Sequence, residues 1–202
     1  MLLVIDTSTA ACTAALLNEA GVCIASRDEL IGRGHAERLV PMIDELMAGG
    51  RAERILIGVG PGSFTGIRVG IAAAQGLAIG WDATVSGMSS LALLAAGVKR
   101  DHDVAAAMEG GHGELFVQLF DGRTLMPKSD MLNLSPAAAA AACRAETVVG
   151  PGAGKLVDAR GSGTALPGWP SAANALRLPE QLRLLPAKPV YGRAPDARAK
   201  AA

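Results

Sequence analysis

Hydrophobic and polar positions along the chain fall into short blocks whose period changes. Leu2–Asp6 is a continuous apolar run ending in a carboxylate, which predicts a buried strand. Residues 12–17 and 22–27 predict two more strands, joined by a tight turn over residues 18–21. Over residues 35–48 the spacing becomes helical, with Leu39, Val40, Ile43, Leu46 and Met47 apolar and Gly49-Gly50 as the stop. Pro41 lies inside this helix, where proline costs about 3 kcal/mol, so a kink or a later start is expected. Residues 55–59 predict a strand, Gly60-Pro61-Gly62 a turn, and residues 63–80 a long helix. A strand at 83–86 and a helix at 89–97 complete the order β-β-β-α-β-α-β-α.

The second half repeats this grammar. A strand at 104–108 ends at Glu109, and a strand at 114–120 follows across a Gly-Gly-His-Gly turn. A third strand is expected at 123–126. A helix is expected at 135–145, with Ser135 as N-cap and Pro136 at its first position. Thr147–Val149 is the next strand, and Gly150-Pro151-Gly152 ends it. Asp6 is thus matched with Glu109, and Gly60–Gly62 with Gly150–Gly152. The pattern predicts an α/β protein of two lobes made by a degenerate duplication: residues 1–98, and a shorter lobe over 99–202.

Composition narrows the class. The 202 residues hold 19 basic and 19 acidic side chains, half are hydrophobic, and 39 are alanine beside 25 glycines. Such an apolar fraction excludes disorder, and the lack of a Gly-x-y period excludes collagen. The longest apolar run, 71–81, is broken by Gln75 and is too short to cross a bilayer. No basic region precedes the first apolar stretch, so no signal peptide is expected. Three cysteines without a CxxC pair fit a reducing cytoplasm and give neither a disulfide framework nor a zinc site. Zero net charge argues against a large phosphate-binding face. Residues 157–202 nevertheless carry seven basic and three acidic side chains, +4 against −4 for the rest. This basic tail is either a contact for RNA or an acidic partner, or a solvated end.

Two motifs bear on chemistry. GPGSFTGIR (residues 60–68) joins a strand to a helix start, where unpaired N–H groups and the helix dipole favour an anion. Gly60 and Gly62 allow close backbone approach, Ser63 and Thr65 add hydroxyls, and Arg68 calls for a carboxylate or an anionic ligand. Asp6-Thr7-Ser8 at the end of the first strand has the form of a phosphate or metal site. The plainer alternatives are an Arg–Asp pair in a tight turn, and a carboxylate that only braces the hairpin. Residues 150–156 miss the P-loop by one residue and by Leu156 in the hydroxyl position, and the three histidines lie far apart. No catalytic constellation is evident. Gly66, Gly70, Ala73 and Ala74 keep one helix face small. With Leu39, Met42, Ile43, Leu46 and Met47 on the preceding helix, that face either packs on its own sheet or docks another subunit.

LVIDTST (3–9), His35 with Leu39-Val40-Pro41, GPGSFTGIR, the following VGIAAAQGLA and Pro189-Val190-Tyr191 together resemble the TsaB family. The likeness is dense over residues 2–97 and patchy over 103–160. It implies the actin-like ATPase (ribonuclease H-like) fold and a non-catalytic scaffold role in the complex that forms threonylcarbamoyladenosine next to the tRNA anticodon. The implied partners are a TsaD-like catalytic subunit, reached through the first-lobe helices, a TsaE-like ATPase, and a second copy through the same face. tRNA would be contacted weakly if at all. By the same likeness the two metal-binding histidines of TsaD correspond to Ser90 and Leu94, so no metal site is expected. No cofactor is required, with ATP and magnesium allowed for in the complex, and the expected location is the cytoplasm. Glu109-Gly110-Gly111 and Gly192 depart from the family pattern. The alternative reading is an active ATP-dependent phosphotransferase or ATPase of this fold, using Asp6 and Glu109 with magnesium.

Overall fold

The computed structural model describes residues 1–192. Strands β1 (Leu2–Asp6), β2 (Ala11–Leu17), β3 (Cys23–Leu30), β4 (Arg54–Gly58) and β5 (Thr84–Met88) form one sheet in the order β3-β2-β1-β4-β5. Strands β6 (Val104–Glu109), β7 (Leu115–Phe120), β8 (Leu132–Leu134), β9 (Thr147–Val149) and β10 (Thr164–Leu166) form a second, in the order β10-β9-β6-β7-β8. Counted along the chain, the two orders are the same. In each sheet the first three strands pair antiparallel, and the first pairs parallel with the fourth. This is the two-lobed α/β plan that the repeated pattern predicts. Its second copy is reduced, since β8, β9 and β10 have three residues each.

Strand alternation sorts the core into layers. Leu3 and Ile5 of β1 face α1 (His35–Met47) and α2 (Phe64–Trp81). Leu2 and Val4 face the other way, onto α3 (Ser90–Ala95) and Val104, Ala106 and Met108 of β6. Ala105 and Ala107 turn to the outer side of the second sheet, in one cluster with Ala139 of α4 (Pro136–Ala142) and Leu156 of α5 (Ala153–Arg160). The alanine excess is used here. Ala14 and Ala15, Ala105–Ala107, and Ala92, Ala95 and Ala96 are all fully buried where sheets and helices meet closely.

Helix α1 runs through Pro41 without ending. Pro41 and Glu37 are both exposed, so the backbone carbonyl deprived of its partner is open to water. The strand expected at 123–126 does not form. Asp121 Oδ1 accepts bonds from the N–H groups of Arg123 and Thr124 and from Thr124 Oγ1, which holds a turn there. The third strand lies at Leu132–Leu134 instead.

Register also corrects the match between halves. Ile5 pairs with Ile57, three residues before Gly60, and Val104 pairs with Thr147, three residues before Gly150. Gly62 lies against the Ser8 carbonyl as Gly152 lies against that of Ala107. Asp6 therefore corresponds to Ala105 rather than Glu109, because the second hairpin runs four residues further along the sheet.

After Leu166 the chain returns to the first sheet. Ala172 N donates to Thr13 Oγ1 (2.8 Å), Ser171 Oγ to Asp28 (2.7 Å), and Val190 N to the Val59 carbonyl (2.8 Å).

Candidate functional site

The carboxyl end of β1 places Asp6 beneath the turn that follows β4. Asp6 is fully buried. Its Oδ1 accepts from the N–H (2.8 Å) and Oγ (2.6 Å) of Ser8, and its Oδ2 accepts from Ser90 Oγ (2.6 Å). Ser90 Oγ in turn accepts from Gly60 N (3.2 Å). Gly58 leaves the space, since a Cβ there would overlap the Asp6 carboxylate. Burial pushes the Asp6 pKa up, and the bonds from Ser8 and Ser90 only partly oppose it. Such a carboxylate braces a turn and does not fit a magnesium ligand, which needs an oxygen turned toward the ion. The other expected ligand, Glu109, is half-exposed and paired with Lys155 at 3.0 Å. The two carboxylates expected to share a cation thus have separate environments.

The GPGSFTGIR turn is likewise used internally. Ser63 N donates to the Ser8 carbonyl (2.7 Å), and Ser63 Oγ caps α2 by accepting from Gly66 N (3.1 Å). Buried Thr7 donates to the Gly66 carbonyl (2.7 Å). Of the eight residues expected to bind an anion, Asp6, Thr7 and Gly60 face the interior. Ser8, Gly62, Ser63 and Arg68 line a cleft, and Thr65 is exposed.

The residues expected to form a partner face lie mostly inside the fold. Leu39, Met42, Ile43, Leu46 and Met47 are buried against the first sheet, as are Gly66, Gly70 and Ala74, while Ala73 is half-buried. The physical reason is plain at Gly70, where a Cβ would overlap Thr7 Oγ1 and press on Ile57. Close packing is thus spent on the helix's own sheet. The outward faces of the same helices carry Val40 (51% exposed), Ala72, Gly76, Ile79 (87% exposed) and Gly80.

Between the carboxyl ends of the two sheets lies a cleft of about 1130 Å³. Of the chain's six aromatic residues, Phe64, Phe116, Trp169 and Tyr191 line it, which makes it the aromatic centre of the molecule. Arg68 does not meet a carboxylate among the described residues. Its guanidinium lies over the Phe64 ring at 3.5 Å, and its Nε donates to Tyr191 Oη (3.0 Å). Tyr191 stacks on Phe64 with centroids 5.4 Å apart. Sequence reasoning missed this cluster because its members lie up to 127 positions apart; the signal available was the scarcity of aromatics.

Of the basic tail, Arg193, Arg198 and Lys200 lie outside the described residues. Arg160 bonds the carbonyls of Cys143, Ala145 and Ser162, Arg177 those of Ala96 and Val98, and Arg183 that of Leu178. These arginines act as ties for backbone oxygens. Among the described residues no helix is long and apolar enough to cross a membrane.

Comparison with known proteins agrees with this architecture. Residues 24–153 match the family model described as TsaD, tRNA N6-adenosine threonylcarbamoyltransferase. The chain is 37% identical over 123 residues to the tRNA threonylcarbamoyladenosine biosynthesis protein TsaB of Escherichia coli, covering 57% of this chain and 52% of the relative. Against the protein of the same name from Haemophilus influenzae it is 40% identical over 123 residues, covering 57% and 51%. The chain thus aligns with about half the length of these relatives. The solved structure of YeaZ from Pseudomonas aeruginosa superposes with a TM-score of 0.79 at 33% identity, over 94% of this chain and 98% of that one. On the fold, the motifs and these matches, the chain belongs to the TsaB family.

Proposed function

We propose that this protein is a non-catalytic scaffold subunit in the formation of threonylcarbamoyladenosine next to the tRNA anticodon, docking on a TsaD-like catalytic subunit. The TsaB names of its relatives and the TsaD family match support the pathway. The observation that carries the non-catalytic part is the bond from Ser90 to Asp6. It fills the site end of β1 with an internal contact, and Leu94, the other position matched to a TsaD histidine, is buried in the central core. The first-lobe docking face is then the outward one, built from Val40, Ala72, Gly76, Ile79 and Gly80. A TsaE-like ATPase completes the assembly, self-pairing uses the same helices, and the work is done in the cytoplasm.

The test is size-exclusion chromatography of this chain with the TsaD-like subunit of the same organism, with and without nucleotide. The reading requires a stable complex and negligible ATP turnover by this chain alone. Independent elution under every nucleotide condition contradicts it.

A further inference from the structure

The cleft combines features that select a ligand unlike a nucleoside triphosphate. Its walls are mainly apolar and aromatic, with Phe64, Met108, Phe116, Trp169 and Tyr191 among the residues that line it. Trp169 and Tyr191 are 40% and 42% exposed, so their rings are open to a ligand. Arg68 is fixed in place through Phe64 and through its Nε bond to Tyr191, and its two terminal NH₂ groups have no partner among the described residues. A guanidinium held this way is a fork set for one carboxylate. The parts a triphosphate needs are otherwise engaged: Ser63 N and Oγ within the turn, Asp6 beneath it, and Lys155 on Glu109.

From this we propose that the cleft binds a planar aromatic molecule carrying a single carboxylate. The ring inserts among Trp169, Tyr191 and Phe116, and the carboxylate takes the two terminal NH₂ groups of Arg68. At about 1130 Å³ the cleft is slightly above the usual range of small-molecule sites, about 300–1,000 Å³, and is large enough for a two-ring compound. This inference stands apart from the scaffold role, because none of the cleft residues belongs to the outward face of α1 and α2 used there.

The probes are 1-naphthoate and its uncharged analogue 1-naphthamide, titrated calorimetrically into the full chain. One saturable site is expected for each, with naphthoate at least tenfold tighter. Arg68→Met keeps an apolar stem on Phe64 and should weaken naphthoate by about tenfold or more while leaving naphthamide within about twofold. Trp169→Ala should weaken both probes. Thermal melting of each variant, together with Arg68→Lys as a charge-retaining control of intermediate affinity, separates a binding loss from a folding defect. Absence of a saturable site for naphthoate overturns the proposal. So does an equal loss of both probes in Arg68→Met, or displacement of naphthoate by magnesium-ATP at concentrations below those of naphthoate itself.

Discussion

Ser90 donates its hydroxyl to the Asp6 carboxylate at 2.6 Å, joining the start of α3 to the end of β1 across 84 positions of the chain. The same oxygen accepts from Gly60 N, so one serine holds three elements: the β1 turn, the GPGSFTGIR turn and α3. Ser90→Ala leaves a buried carboxylate oxygen and a buried N–H without this partner. The expected loss of unfolding free energy is about 1–3 kcal/mol, read from urea denaturation. A loss below about 0.5 kcal/mol would mean that the hydroxyl is dispensable.

Asp6 has a pKa raised by burial, so folding favours its neutral form. The stability tied to that proton is complete below the ordinary aspartate value and is lost as pH rises through the raised one. The difference in unfolding free energy between wild type and Asp6→Asn should therefore shift against wild type across that interval and level off above it. A difference that instead grows in favour of wild type with rising pH would mean a carboxylate stabilised in its charged form, as a cation site requires.

Met42 is fully buried against the first sheet, and Ile79 is 87% exposed on the outward side of α2. Met42→Ala should cost about 2–5 kcal/mol of stability, while Ile79→Asp should leave the melting temperature within about 2 °C. Gly70→Val should fail to accumulate as folded protein, because its side chain would meet Thr7 and Ile57. Circular dichroism melts and soluble yield distinguish these outcomes.

Arg177 ties the carbonyls of Ala96 and Val98, where α3 runs into the crossover between lobes. Arg177→Met removes those donors and should destabilise the fold by about 1–2 kcal/mol, with amide exchange quickening first over residues 94–100. Uniform exchange along the chain would contradict a local tie.

Much of the fold was legible because its signals are local. The apolar run before Asp6, the Gly-Pro-Gly turns and the Ser135-Pro136 helix start each state their own conformation, and the repeated order exposed the duplication. What could not be read were features decided across the chain. Whether Gly70 faces a sheet or a partner depends on where Thr7 lies, and both choices give the same helical spacing. Glu109 and Asp6 both end apolar runs and so read as counterparts, yet the β1–β4 and β6–β9 registers match Asp6 to Ala105, and hairpin length leaves no trace in periodicity. Charge alone gives Arg68 a carboxylate or an anionic ligand as partner. Its partners turned out to be Phe64, four positions away, and Tyr191, which only the returning C-terminal stretch brings near.

The docking proposed for the outward face of α1 and α2 is tested by co-elution with the TsaD-like subunit. Wild type and Met42→Ala, the latter at a temperature where it stays folded, should both form the complex. Ile79→Asp should remain folded and elute alone. A complex that survives Ile79→Asp and the further Gly76→Arg change, or the absence of any complex with wild type, would contradict docking through this face.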